Sequence, residues 1–172
     1  GSTIDFNGPG AANIGASNFN TVTFSGAGTK TATGALNILG NTTITNNFSA
    51  GIYSHTILVN WTNNGTFSAN TSTISFSGTS STITGSNSST FNNLTINVAG
   101  GATLGVATSV SGTLTLTSGK IDLGIYNLTI TSTGSISGGS ATSYVKTSGT
   151  GRLKQTVPGS GAIKNYPVGH SA

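Results

Sequence analysis

Apolar and polar residues alternate in short bursts along most of the chain. Thr3-Ile4-Asp5-Phe6, Thr21-Val22-Thr23-Phe24, Thr73-Ile74-Ser75-Phe76, Leu94-Thr95-Ile96, Leu114-Thr115-Leu116 and Leu128-Thr129-Ile130 all carry the pattern. A period of two puts Ile, Val, Leu and Phe on one side of a strand and Thr, Ser or Asn on the other. Gly, Asn and Ser clusters between the bursts, such as Asn63-Asn64-Gly65 and Ser137-Gly138-Gly139, have the chemistry of tight turns. No stretch shows the 3.6-residue period of an amphipathic helix. The pattern predicts an all-β chain of short strands.

The bursts also repeat. Ser2-Thr3-Ile4-Asp5-Phe6-Asn7-Gly8 matches Ser72-Thr73-Ile74-Ser75-Phe76-Ser77-Gly78, and Phe19-Asn20-Thr21-Val22-Thr23-Phe24 matches Phe91-Asn92-Asn93-Leu94-Thr95-Ile96. Both matches imply a unit of about 70 residues. Short strands, small turns and an internal repeat fit a β-solenoid, in which each coil buries its apolar side against the next. The expected fold is a right-handed parallel β-helix with irregular, roughly triangular coils. A β-sandwich or jelly roll uses similar strands and is the alternative. On this reading residues 1–143 form the solenoid, built of nearly two such units. Residues 144–172, with Lys146, Arg152, Lys154, Pro158 and Pro167, form a capping or junction segment, since charges and prolines discourage further strand pairing.

Composition sharpens this picture. Gly, Thr, Ser and Asn make up 100 of the 172 residues, and Cys, Met and Glu are absent. Charged residues are 5% of the chain, against about 25% in ordinary soluble domains. Disorder is disfavoured because β-branched and aromatic residues recur throughout. The net charge of +4 reflects missing acids rather than clustered bases, so nucleic acid, whose phosphates need several grouped cations, is not an expected partner. No apolar run approaches the ~18 residues of a membrane-spanning helix, and membrane insertion is not expected.

Several of these motifs resemble the repeat regions of large secreted, cell-surface, adhesin-like proteins of Bacteroidetes. The stretches concerned are Asn60-Trp61-Thr62-Asn63-Asn64-Gly65-Thr66-Phe67 followed by Ser72-Thr73-Ile74-Ser75-Phe76-Ser77-Gly78, then Thr90-Phe91-Asn92-Asn93-Leu94-Thr95-Ile96, Val110-Ser111-Gly112-Thr113-Leu114-Thr115-Leu116-Thr117-Ser118-Gly119 and the closing Tyr166-Pro167-Val168-Gly169. The resemblance implies a β-helical segment of an exported, multi-repeat protein, located outside the cell or on its surface. It brings no catalytic residues with it.

Candidate chemistry is sparse. Asp5 and Asp122 are the only carboxylate side chains, and they fall in distant parts of the array. Glycoside hydrolysis usually needs two carboxyl groups flanking one bond, and calcium needs several oxygen donors. His55 and His170 have no acid or thiol beside them to complete a metal site. The expectation is therefore a non-enzyme with no cofactor and no metal. Lys120 and Asp122, two apart, read as a surface pair, and His55 as an exposed turn or wall residue.

Two features remain as candidate binding elements. Trp61 is the sole Trp, able to stack on a sugar if exposed, or to pack inside with Ile57 and Val59 if the strand alternation holds. Thr113, Thr115, Thr117, Thr129 and Thr131 form a local patch of threonines that could meet glycans or ice. The Thr-X-Thr motifs start at 21, 29, 31, 43, 71, 82, 113, 115, 129 and 131, spaced too unevenly to predict one extended threonine face. Eight Asn-X-Ser/Thr sequons match what the composition gives by chance. The function expected is a structural, adhesive stalk, with a glycan- or ice-binding module or a self-assembling fibre subunit as alternatives.

Overall fold

The computed structural model describes residues 1–157 and 163–169, so the expectations attached to Pro158 and His170 lie outside the described residues. Every strand pairing is parallel, and the chain winds through about eight turns of a β-solenoid. This excludes the sandwich and jelly-roll alternative, both of which are built on antiparallel strands.

Each coil contributes to three faces. The first is a nine-stranded sheet: Thr3–Asp5, Thr21–Phe24, Thr42–Ile44, Trp61–Asn63, Ser81–Thr84, Ala102–Leu104, Ile121–Asp122, Val145–Lys146 and Val168–Gly169. Another is seven-stranded, running from Ser17–Phe19 through Leu36–Ile38, Ser54–Ile57, Thr73–Phe76, Asn93–Asn97 and Thr113–Ser118 to Ser135–Gly138. The third face is split into two four-stranded sheets. One holds Ala12–Ile14, Lys30–Ala32, Asn47–Ser49 and Thr66–Ser68; the other holds Ser89–Phe91, Thr108–Val110, Leu128–Ile130 and Leu153–Gln155.

The alternation read from sequence sorts residues as a half-buried strand should. Val22, Phe24, Ile44, Ile57, Ile74, Phe76, Ile83, Leu94, Ile96, Leu114, Leu128 and Ile130 are buried in one continuous core. In the earlier coils that core is an aromatic column. Phe6 stacks on Phe24, Phe24 on Phe48 at 4.1 Å between ring centroids, and Phe48 on Phe67. Phe67 and Phe91 then close around Trp61, 4.7 and 5.5 Å from its ring centroid. Beyond Phe91 the same inward position on the third face is filled by Val110 and Ile130.

Coil length varies, but register along the nine-stranded face does not. Along the nine-stranded face Thr3 pairs with Thr21, Val22 with Thr42, and Thr42 with Trp61. Trp61 pairs in turn with Ile83, Ser81 with Ala102, Ala102 with Ile121, Ile121 with Val145, and Val145 with Val168. Each step takes about 20 residues, fewest in the first coil and most in the last two. The differences are absorbed at the corners, where asparagine amides replace missing backbone partners. Asn60 Oδ1 accepts from the Thr82 N–H, Asn64 Oδ1 from Ser86 N–H, Asn93 Oδ1 from Thr113 N–H and Asn127 Oδ1 from Arg152 N–H. The third face breaks between Thr66–Ser68 and Ser89–Phe91, within the coil that accommodates the indole of Trp61.

The first pair of matched motifs lies on different faces: Thr3–Asp5 on the nine-stranded one and Thr73–Phe76 on the seven-stranded one. The chain between them makes three coils and two faces more. The stack also does not stop at residue 143, because Val145–Lys146, Leu153–Gln155 and Val168–Gly169 all join its ladders.

Candidate functional site

The residues singled out from sequence are not brought together. Thr113, Thr115 and Thr117 lie on Thr113–Ser118 of the seven-stranded face. Thr129 lies on Leu128–Ile130 of the third face, with Thr131 just beyond it. Two of these hydroxyls are already engaged. Thr113 Oγ1 is 3.3 Å from Ser135 Oγ, while Thr131 Oγ1 donates to the Ser111 carbonyl and lies 3.5 Å from Thr133 Oγ1.

Trp61 is inside. It is 1% exposed, and its Nε1–H donates to Ser89 Oγ at 2.9 Å. No ring face is left for a sugar. The continuous strand expected through Val59 and Trp61 is broken by a corner: Ser54–Ile57 ends one face, and Trp61–Asn63 begins the next.

His55 is buried rather than exposed. Its Nδ1 accepts from the Leu36 N–H at 3.1 Å and its Nε2 lies 2.8 Å from the Ala50 carbonyl, the pattern of a neutral ring protonated on Nε2. Burial lowers its pKa from the ordinary 6.5, and the bond to Ala50 opposes this more weakly. Both nitrogens serve the backbone, so the ring is a structural pin.

The two carboxylates sit on the same face, six strands apart, which is about 29 Å at ~4.8 Å per strand. Asp5 accepts from Ser25 Oγ. Asp122 does not pair with Lys120; it binds Lys146, its register neighbour one coil on, at 2.8 Å. It also accepts from the Gly124 N–H and Ser148 Oγ. Burial raises the Asp122 pKa, but the hydrogen bond from Lys146, the Gly124 N–H, the Lys146 charge and Ser148 together outweigh it, and the net shift is downward. Lys120 instead lies over the Tyr144 ring, 5.0 Å from its centroid. A groove of about 560 Å³ near the end of the stack is lined by Thr147, Arg152, Leu153, Tyr166 and Val168 among others, with no carboxylate in its lining.

Lys30 shows how the chain treats charge. The side chain points inward and is 2% exposed, and its ammonium donates to the carbonyls of Gly8, Gly10 and Gly28, each at 2.8 Å. Three acceptors match the three N–H bonds of an ammonium. Lys30 is the sole Lys, Arg, Asp or Glu between Phe6 and Gly119. The surface of the coils in between therefore carries no ionised side chain.

What the spacing of Thr-X-Thr motifs concealed is a row on the nine-stranded face. Asp5, Thr23, Thr43, Thr62 and Thr84 are register partners on five successive coils, all turned outward. Beside it runs a second outward row: Thr3 pairs with Thr21, Asn41 and Asn60 follow, and Thr82 pairs with Thr103. Because Asn replaces Thr at 41 and 60, a search for Thr-X-Thr drops two of the coils. Single threonines counted at one coil length, about 20 residues, do reveal the row. Chemically the two rows form a two-dimensional array of hydroxyl, methyl and amide groups.

This fold and surface define a parallel β-solenoid whose wall carries no ionised side chain between Phe6 and Gly119. Comparison with protein-family models, with curated proteins and with solved structures finds no match.

Proposed function

We propose that the chain is a non-catalytic structural and adhesive segment of an extracellular surface protein, a rigid β-helical spacer. The observation that carries this reading is the unbroken nine-stranded parallel ladder over a continuous buried core. Nine strands at ~4.8 Å span about 38 Å along the axis. Hydrogen bonds between coils and the stacked aromatic column resist bending, while an uncharged wall avoids ion-dependent aggregation. The resemblance of the Asn60–Phe67, Thr90–Ile96 and Tyr166–Gly169 stretches to Bacteroidetes adhesin-like repeats supports the adhesive and extracellular parts. Separated carboxylates, each held by a neighbouring side chain, favour a non-enzymatic role.

The test is a distance distribution between dyes attached at Asn18 and Ser137, the two ends of the outward row on the seven-stranded face. A single narrow distance, unchanged between low and high salt, is the expected result. A broad or salt-dependent distribution would show that the segment is not a spacer.

A second reading, a fibre subunit, is favoured by the first coil. Thr3–Asp5 is exposed along its whole length, and Ile4 is 42% exposed at the end of the core. Concentration-dependent growth in sedimentation, abolished by Ile4→Lys, is the outcome this second reading requires.

A further inference from the structure

We propose that the Thr23, Thr43, Thr62 and Thr84 face binds ice. Ice is then the ligand behind the adhesive part of the spacer reading, on which this proposal rests.

Four observations converge on this face. The register is regular: the bulge among the described ladders lies at Ile96 and Asn97 on the seven-stranded face, not here. Neighbouring coils therefore hold the threonines ~4.8 Å apart along the axis, and the second row stands about 6.6 Å away across it. The hydroxyls are unengaged: Thr23, Thr43, Thr62 and Thr84 make no side-chain hydrogen bond among the described residues, whereas Thr113, Thr131 and Thr133 do. Each threonine also offers a methyl group beside its hydroxyl, so the row can anchor ordered water while displacing little of it.

Charge supplies the fourth. An ionised side chain keeps its own hydration shell and cannot be matched by a neutral lattice of water. Between Phe6 and Gly119 the single Lys is buried on three carbonyls, and His55 is buried, which leaves the coils from Thr23 to Thr84, between Asp5 at one end of the face and Asp122 towards the other, complementary to a neutral partner. Among neutral partners, a polysaccharide is the weaker fit. Trp61, the best ring for stacking on a sugar, is inside the core, and the Asn60 amide oxygen already accepts from Thr82 N–H. A threonine–water contact is individually weak. A rigid row that meets a rigid periodic surface engages many such contacts together with little ordering cost.

The experiment measures thermal hysteresis and partition into growing ice for the whole chain, for Thr43→Lys with Thr62→Lys, and for Ser75→Lys with Thr95→Lys on the seven-stranded face. Melting curves check that each variant folds. The expected result is activity in the intact chain, loss in the Thr43/Thr62 pair and retention in the Ser75/Thr95 pair. Absence of activity in the intact chain, or equal loss on both faces, overturns the proposal. So does retention on crystalline cellulose or chitin without partition into ice. If the Thr43/Thr62 lysine pair fails to fold, Thr43→Ser with Thr62→Ser asks the same question, because Ser75 and Ser137 occupy comparable outward positions. Reduced activity in that serine pair supports the proposal, and full activity overturns it. A negative ice assay with a narrow dye distance removes the ligand alone; a broad distance removes the spacer reading itself.

Discussion

Trp61 fills the place where the third face is interrupted, touching Phe67 and Phe91 and donating to Ser89. Trp61→Ala should lower stability by about 3–5 kcal/mol through lost contacts and a cavity. Ser89→Ala should cost less, about 1–3 kcal/mol, because it leaves the buried indole N–H without an acceptor. Denaturant titration of both variants checks the ranking. His55 gives the chain an acid sensitivity of defined sign. Its folded pKa lies below 6.5, so the unfolded state takes up a proton first as the pH falls. Stability is full above that pH and declines below it. Asp122, held below its ordinary 3.8, keeps its contribution to more acidic pH and loses it as the pH passes through its folded value. His55→Gln should flatten the first decline and leave the second, a difference that melting temperatures across a pH series would reveal.

At the scale of the strand and corner, the bursts of alternation were enough to place the inward residues, from Val22 and Phe24 to Leu128 and Ile130. They could not place the corners. A solenoid corner is made by backbone direction and by inter-coil bonds, and nothing local distinguishes Asn60, whose amide serves the next coil, from a turn asparagine facing water. Trp61 is buried as the alternation from Ile57 allowed; His55, two residues before Ile57 on the same strand, shares that inward side, and its polar ring disguised the position. The threonine row was hidden because its members become neighbours only after a full coil of intervening chain. Gly119 makes a corner that only glycine adopts without strain. It adopts φ +75°, and a Cβ there would overlap the Val98 carbonyl oxygen of the preceding coil. Gly119→Ala should cost about 1–3 kcal/mol from backbone strain, with the steric overlap adding to it. A lowered melting temperature for this variant, with Gly124→Ala as a strained but uncrowded comparison, would separate the two effects.

For the whole molecule, the near absence of surface charge predicts that sodium chloride barely moves the melting temperature. The Lys146–Asp122 pair is partly exposed and contributes at most about 1 kcal/mol, so screening it changes little. A melting series in salt tests this directly. The burial of Lys30 adds a local exception. Lys30→Met should destabilise the first two coils by roughly 2–3 kcal/mol, because three partly buried carbonyls lose a charged donor. Hydrogen exchange confined to those coils is the matching readout.

The parallel ladders also dictate how the chain yields to a pull. Bonds between coils run along the axis, so a force applied between the two ends loads one rung at a time instead of shearing a whole sheet. Each coil that detaches frees about 20 residues, or roughly 60–80 Å of extended chain. Stretched in this way, the segment would pay out line in small, nearly equal lengths, as a shock absorber does, while the coils still stacked keep their shape.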